Sequence, residues 1–324
     1  MKNEDVMVSI CCTVYNQEKY IRKAIESFLQ QDVNFKYEII IHDDASNDST
    51  PEIIKEYQEK YPEIIRPICQ KENQYSKGKK VSLIAMEKAN GKYIALCEGD
   101  DYWIDSTKLR RQVEYMEKHP NCSLCFHNAY TFDLLTQSKI PMMKKTRRYY
   151  KFSKNYDVGD MAKLDFIPTA SLMFRNSDVQ RLPDFYKSSI VGDLPLRLIM
   201  TSFGYCHYID RIMSMYVRGT GQSATDEFER NLKDIDKTME YLTKKQECIE
   251  NVNRYTNYRF NKDFQIALNR VESDKYMYKE QYVELYKNKK VLKASPRKRI
   301  LWIIKYVLKK YVNERSENNG SYKK

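Results

Sequence analysis

Glycine and proline are scarce in this chain, nine of each among 324 residues. Such a sequence is neither collagen-like nor a low-complexity linker, and its 42% hydrophobic content predicts order outside the tails. No stretch approaches the roughly 18–20 consecutive apolar residues that a membrane-spanning helix needs. The opening Met1-Lys2-Asn3-Glu4-Asp5 is polar and runs directly into strand-like residues, so no secretory leader is read there. The eight cysteines form no convincing framework, since Cys11-Cys12, Cys97 and Cys125 sit in apolar runs where a thiol behaves as a small hydrophobe. Cys122-x-x-Cys125 lacks a second pair or a histidine at zinc spacing, and a metal role there is rejected. A reducing, cytoplasmic compartment is the expectation. Also missing are the dinucleotide glycine fingerprint and the P-loop. Any phosphate must then be held mainly by metal and basic side chains. Lys77, Lys79 and Lys80 are candidates, although most of that run reads as solvated charge.

What is present begins with a net charge of +12, which implies an anionic partner without naming it. The densest basic cluster starts at Lys287, far from the first hundred residues, so nucleic acid is not the expected partner. From Val6 to about Phe126 strand and helix alternate. Val6–Val14 and Glu38–His42 are apolar and β-branched, as expected for strands covered on both faces. Between them Ile21, Ala24, Ile25, Phe28 and Leu29 recur at helical spacing. Ser49 or Thr50 is read as the cap of a helix opening on Pro51. Ile64–Cys69 is a short strand, and Val81–Ala89 a helix stopped by Asn90-Gly91. A helix from Ser106 runs through Leu109, Val113 and Met116, and Ser123–Phe126 resumes a strand. Further strands are read at Ser171–Phe174 and Tyr205–Ile209. Repeated β-α-β units predict an α/β fold with a mostly parallel sheet.

Three of these strands end in polar groups. The first ends in Thr13-Val14-Tyr15-Asn16, the second in His42-Asp43-Asp44-Ala45-Ser46, and the run Lys92–Cys97 in Glu98-Gly99-Asp100-Asp101. Strand ends of an α/β sheet open on the crevice where ligands bind. Carboxylates at that edge suit a hard divalent cation sharing its coordination sphere with substrate phosphates. Without those other strands, the last segment would read equally well as an idle acidic turn.

Taken in order, Val8-Ser9-Ile10-Cys11-Cys12-Thr13-Val14-Tyr15-Asn16-Gln17-Glu18, Asp43-Asp44-Ala45-Ser46, Gly91-Lys92-Tyr93-Ile94-Ala95 and Glu98-Gly99-Asp100-Asp101-Tyr102-Trp103 closely resemble glycosyltransferase family 2, of the bacterial cell-surface polysaccharide type. The resemblance implies a GT-A fold and transfer of a sugar from a nucleotide-sugar donor, UDP-linked, to a saccharide or lipid-linked saccharide acceptor. By that resemblance Asp44 contacts the uracil ring, with Thr13 and Tyr15 lining the base pocket. The family's D-x-D element falls on Glu98-Gly99-Asp100, making Asp100 the ligand of Mn²⁺ or Mg²⁺; Glu98 stands where Asp is more usual. Asp101 is either a support for that site or a cap of the next turn. The acidic residue that precedes an amphipathic helix late in the family's domain, and accepts the acceptor's proton, corresponds to Asp193 in Val191-Gly192-Asp193-Leu194-Pro195. The alternative for Asp193 is a simple helix cap. The segment Arg218-Gly219-Thr220-Gly221-Gln222-Ser223 resembles the family's flexible stretch over the donor, with Arg218 a phosphate contact. His127 and His207 read as structural histidines.

The predicted organisation is a transferase domain over 1–223, a helical region over 224–295, a basic amphipathic helix over 296–313 and a disordered tail over 314–324. The helical region opens on the stripe Phe228, Leu232, Ile235, Met239, Leu242. In the 296–313 segment Ile300, Ile303, Ile304, Val307, Leu308 and Tyr311 share half of a helical wheel, and Lys298, Lys305 and Lys309 lie opposite. Two readings stand side by side, peripheral contact with an anionic membrane and packing on the domain. For the whole chain two rivals also stand: a nucleotidyltransferase of related fold, and a non-enzymatic basic module binding membrane or nucleic acid.

Overall fold

A computed structural model of the protein describes residues 6–142, 154–164, 166–189, 192–221, 223, 225–226, 230 and 234–278. The basic segment 296–313, the tail 314–324, and Phe228 and Leu232 of the helical stripe lie outside the described residues. One sheet organises the rest. Its order is β3 (Ile65–Cys69), β2 (Lys36–Asp43), β1 (Val6–Val14), β4 (Tyr93–Leu96), β9 (Met173–Arg175), β6 (Cys122–Asp133), β10 (Tyr205–Arg218) and β5 (Tyr102–Trp103). Strand β7 (Ser138–Pro141) adds to β6 and β8 (Asn155–Tyr156) to β10. β3, β2, β1 and β4 are parallel, β9 runs antiparallel between β4 and β6, and β6 pairs parallel with β10.

Period-two alternation assigns the two faces of the sheet. Val8, Ile10, Cys12, Ile39, Ile41, Tyr93 and Ala95 face one core, under α1 (Ile21–Leu29), α2 (Thr50–Lys60) and α4 (Lys108–Lys118). Cys11, Ile40, Ile94 and Leu96 face the other. That second core takes in residues of α3 (Val81–Met86), α5 (Val158–Lys163), α7 (Asp193–Ser202), α8 (Ile235–Tyr255) and α9 (Asn261–Tyr278), with α6 (Asp184–Lys187) supplying Tyr186. Leu242, Ile249, Val252 and Phe264 of the C-terminal helices are buried in it. Both faces of the strands are therefore covered, which is why β1, β2 and β4 read as continuous apolar runs.

Local chemistry moved several boundaries. Ser49 occupies the cap position of α2 but makes no side-chain cap bond; Asp48 Oδ1 accepts the Thr50 N–H at 3.0 Å instead. The helix read from Ser106 starts at Lys108, because Asp105 Oδ1 accepts both the Thr107 N–H (2.8 Å) and its hydroxyl (2.7 Å) and turns the chain first. Strand β6 continues well past Phe126, since His127 and Asn128 are buried and hydrogen-bonded locally. Strand β10 continues past Ile209 through register shifts at exposed Asp210 and Arg211.

The approach to β4 depends on Gly91, which sits hard against β1. Its N–H donates to Ser9 Oγ at 2.8 Å, and a Cβ added there would lie 2.5 Å from Ser9 N and 2.7 Å from the Val8 carbonyl carbon. Buried Glu38 ties the same corner by accepting from the Ser9 hydroxyl (2.6 Å) and the Asn90 N–H (2.7 Å), with Arg66 completing its shell. Gly91→Ala is expected to cost about 1–3 kcal/mol, the usual range for overpacking against a backbone that cannot retreat. Urea unfolding measures it, and a midpoint equal to wild type would show that β1 yields more readily than this contact allows.

Candidate active site

The ends of β1, β2 and β4 open on one edge of the sheet, and two loops are laced together there. After β1, Asn16 takes φ 51°, its N–H donating to Ser46 Oγ at 2.8 Å while its Oδ1 accepts the Asn47 N–H at 2.8 Å. The Gln17 N–H reaches Thr50 Oγ1 at 2.9 Å and the Glu18 N–H reaches Asp48 Oδ2 at 3.1 Å. Asp43 is buried and accepts from the Ser46 hydroxyl; burial pushes its carboxyl up. Asp44 is also buried, and its two oxygens accept the Gln74 N–H (2.8 Å) and the Tyr75 N–H (3.0 Å). It therefore fixes the segment before α3, and each oxygen keeps a further lone pair. Thr13 is half-buried at the end of β1 and Tyr15 is exposed beside it.

The segment after β4 is drawn under β1 by the Gly99 N–H, which donates to the Thr13 carbonyl at 3.0 Å. A Cβ on Gly99 would meet Gln17 Oε1 at 2.5 Å and Val14 side-chain atoms at 3.1 Å, so only glycine lets two carboxylates flank this position. Asp100 is 6% exposed, and its Oδ2 lies 3.4 Å from the Thr220 hydroxyl. Glu98 keeps part of its surface on the crevice while protein surrounds the rest. Burial first, then the charge of Asp100, pushes Glu98 up to about 7; burial, with the charge of Asp226 adding to it, pushes Asp100 up to about 6. Asp101 turns the other way. It is fully enclosed, accepts the Val217 N–H at 2.9 Å and so pins β10 to the site, with burial raising its carboxyl well above the usual range.

Asp193 is the first residue of α7, behind Gly192 at the cap position, so it caps nothing with its own side chain. Its charge is felt by Glu98 across the crevice, by Lys80 at the head of α3 and by Tyr241 of α8. Lys80 packs its ammonium 4.4 Å from the Tyr186 ring centre, and burial brings it down to about 8. Burial first and Asp193 second push Tyr241 up to about 12. Arg218 ends β10, directly before the turn whose Thr220 meets Asp100. It pairs across the ladder with Asp133 of β6, whose carboxyl is held low by the Thr136 N–H and, in smaller part, by Arg218. Lys77 is engaged with Glu72 at the surface.

Thr220 lies in the stretch expected over the donor, whereas Thr169, Gln17 and Asp226 were not singled out in the sequence although all four meet Glu98 or Asp100 or act on them. Thr169 bonds to Glu98 from a turn that Trp103 and Gln112 hold, through Nε1 to the Ala170 carbonyl (2.9 Å) and Nε2 to the Ser171 carbonyl (2.9 Å). For Asp226 the spacing Ser223-x-x-Asp226 was the available signal, a capping-box pattern.

Among the described residues no three His, Cys, Asp or Glu side chains close into a complete metal cage. The donor set is still of the kind a Mg²⁺- or Mn²⁺-type ion uses, one or two carboxylates with the remaining positions left to water and phosphate. Two buried carboxylates on either side of one glycine, both raised chiefly by burial, fit such an ion, whose charge would favour their ionised forms.

Comparison with known proteins agrees with this geometry. The family description Glycosyl transferase family 2 matches residues 9–181, just over half of the chain. An uncharacterised protein of Mycobacterium tuberculosis is 39% identical over 172 residues, which cover 52% of this chain and 46% of that one. The Escherichia coli UDP-Glc:alpha-D-GlcNAc-diphosphoundecaprenol beta-1,3-glucosyltransferase WfaP is 39% identical over 112 residues, 34% of this chain and 41% of its own. The chain thus spans about half the length of the curated relatives it matches. Staphylococcus aureus TarS 1–349 in complex with UDP-GlcNAc superposes with a TM-score of 0.55 at 14% identity, covering 84% of this chain and 81% of that one. The Pyrobaculum calidifontis mannosyltransferase PcManGT, in complex with GDP-Man and Mn²⁺, gives 0.54 at 14% identity over 98% and 84%. With its mostly parallel sheet, covered faces and carboxylates at the strand ends, this GT-A-fold chain belongs to glycosyl transferase family 2.

Proposed function

We propose that the protein transfers a sugar from a UDP-linked donor to a saccharide or lipid-linked saccharide acceptor, with inversion, at the cytoplasmic side of cell-surface polysaccharide synthesis. What supports this reading is the pair Glu98 and Asp100 just past the end of β4, at the strand-end edge it shares with β1 and β2, with Asp193 at the start of α7 near enough for its charge to act on Glu98. The donor class is supported by the E. coli relative, named for UDP-Glc and a diphosphoundecaprenol acceptor, and by the UDP-GlcNAc held by the S. aureus neighbour. In this reading Thr13, Tyr15 and Asp44 border the uracil pocket, where a remaining lone pair of the Asp44 carboxylate accepts the ring N–H. Asp100, with Glu98 beside it, holds the divalent cation. A cation there neutralises charge on the leaving diphosphate. Asp193 takes the proton of the acceptor hydroxyl as its oxygen bonds to the anomeric carbon and the carbon–phosphate-oxygen bond breaks. Attack from the face opposite the leaving group inverts that carbon.

Thermal melting with and without nucleotide tests the reading. UDP with Mn²⁺ is expected to raise the melting temperature, corresponding to about 2.7 kcal/mol when free ligand is 100 times its Kd. A panel of nucleotide-sugars assayed for UDP release then identifies the donor. Absence of a shift with every nucleotide tried, with or without Mn²⁺, would sink the proposal and favour a basic binding module.

A further inference from the structure

The segment that leaves β10 is wrapped around a single carboxylate. Asp226 is 7% exposed; its Oδ1 accepts the Gly219 N–H at 3.0 Å, and its Oδ2 accepts the Gly221 N–H at 2.9 Å and the Thr220 hydroxyl at 3.0 Å. Gly219 and Gly221 take φ of 80° and 82°, the left-handed region that lets successive N–H groups converge on one anion. Part of the arrangement is an ordinary helix start. The Asp226 N–H donates to Ser223 Oγ at 3.1 Å and the Ser223 N–H donates to Asp226 Oδ2 at 3.4 Å, the reciprocal pattern of a capping box, and the Ser223 hydroxyl adds a bond to Asp226 Oδ2 at 2.8 Å. A capping box does not require the three donors at 219–221. Those lie upstream of the helix start, and one of them, the Thr220 hydroxyl, also lies 3.4 Å from Asp100 Oδ2.

Resting on the donor site proposed above, we infer that Asp226 is a positioning residue: it seats the Gly219–Gly221 turn against Asp100, so that Thr220 borders the metal–diphosphate pocket. The Thr220 hydroxyl carries one hydrogen and stands between two carboxylates. The hydroxyl lies nearer Asp226, at 3.0 Å, than Asp100, at 3.4 Å, so its hydrogen goes to Asp226, and Asp100 would keep its lone pairs for a cation. Tyr20 closes the same corner, its phenol raised by burial first and then by the charges of Asp100 and Asp226.

The test is titration calorimetry of UDP in the presence of Mn²⁺, well below the melting temperature, on the full chain. Asp226→Ala is expected to weaken UDP binding about 10-fold or more, the scale for losing several hydrogen bonds to a charged acceptor. The donor KM rises accordingly while the acceptor KM stays at the wild-type value. Gly221→Ala is the second variant. Its Cβ meets nothing within 4 Å, so it disturbs only the positive-φ turn and leaves the capping box in place. It should weaken UDP in the same direction. A wild-type chain that binds UDP–Mn²⁺ alongside an Asp226→Ala chain that melts earlier yet binds equally tightly overturns the inference and reduces Asp226 to a helix cap. Wild-type affinity in Gly221→Ala overturns it as well. A wild-type chain that binds no nucleotide overturns the donor-site reading itself, and the inference with it.

Discussion

Asp193→Asn is expected to lower the rate of sugar transfer about 10²–10⁴-fold, the range for loss of a general base. UDP affinity in the presence of Mn²⁺ should stay at the wild-type value. The amide keeps the shape of the carboxylate and can still hydrogen-bond an acceptor hydroxyl, but it cannot take the proton. Its position explains why the fold should tolerate the change. Asp193 opens α7 one residue after the cap position, so replacing it removes a favourable charge at the helix N-terminus together with its attraction for Lys80. That charge is worth about 0.3–1 kcal/mol. Asp193 is itself only half-buried, and its charge acts on Glu98 and Lys80. Steady-state kinetics separate the outcomes: a fall in kcat with unchanged donor KM assigns the proton transfer to Asp193. Near-normal kcat would move the base to Glu98, whose carboxyl, pushed up to about 7, is already suited to accept a proton near neutral pH.

How much of this was legible beforehand depended on whether the signal was local. Strand β1 was read at Val6–Val14 and is found at Val6–Val14, because a strand buried on both faces is apolar at every position and needs no partner to be recognised. The α1 stripe of Ile21, Ala24, Ile25 and Phe28 is buried for the same reason. The reading failed where polar residues are paid for by tertiary partners. His127 and Asn128 end the apolar run in the sequence, yet β6 continues through both, held by its pairing with β10 and by local bonds at His127 Nδ1 and Asn128 Oδ1. Buried Glu38 was read only as the start of a strand, since Ser9, Asn90 and Arg66 reach it from distant parts of the chain. In the site, Asp100 and Glu98 were visible as carboxylates at a strand end. The bonds of Asp44 to Gln74 and Tyr75, and the gathering of 219–223 by Asp226, were not. Such contacts are made by backbone N–H groups, which carry no sequence identity. Arg218, expected to contact phosphate, stands opposite Asp133 in the strand ladder and directly before the turn whose Thr220 meets Asp100, and neither neighbour was visible in the sequence.

Asp100→Asn is expected to abolish metal-dependent UDP binding and, in the absence of metal, to stabilise the fold. The first effect follows if Asp100 supplies the carboxylate that anchors the cation; an amide oxygen is a far weaker ligand, and a loss of at least about 100-fold in affinity is anticipated. The second follows from the sign of its titration. Burial raises the folded-state carboxyl to about 6 from an ordinary 3.8, so above that range the ionised side chain costs stability. As pH falls from about 6 toward 4, the folded protein takes up the proton before the unfolded chain does, and the cost is relieved. Asparagine carries no charge at any pH. Its advantage over the metal-free wild type should therefore be about 1–2 kcal/mol at pH 7 and above, shrinking toward pH 4. The neighbouring Glu98 contributes to the same end, because it loses the charge that helps push it up. Melting in EDTA across pH 4–8, paired with calorimetry of UDP in Mn²⁺, reads both effects on one variant. Wild-type UDP affinity would remove Asp100 from the metal site. A mutant less stable than wild type throughout that range would mean that its bonds to Gln17 and Thr220 outweigh its burial, and that the carboxylate holds the fold rather than waiting for a cation.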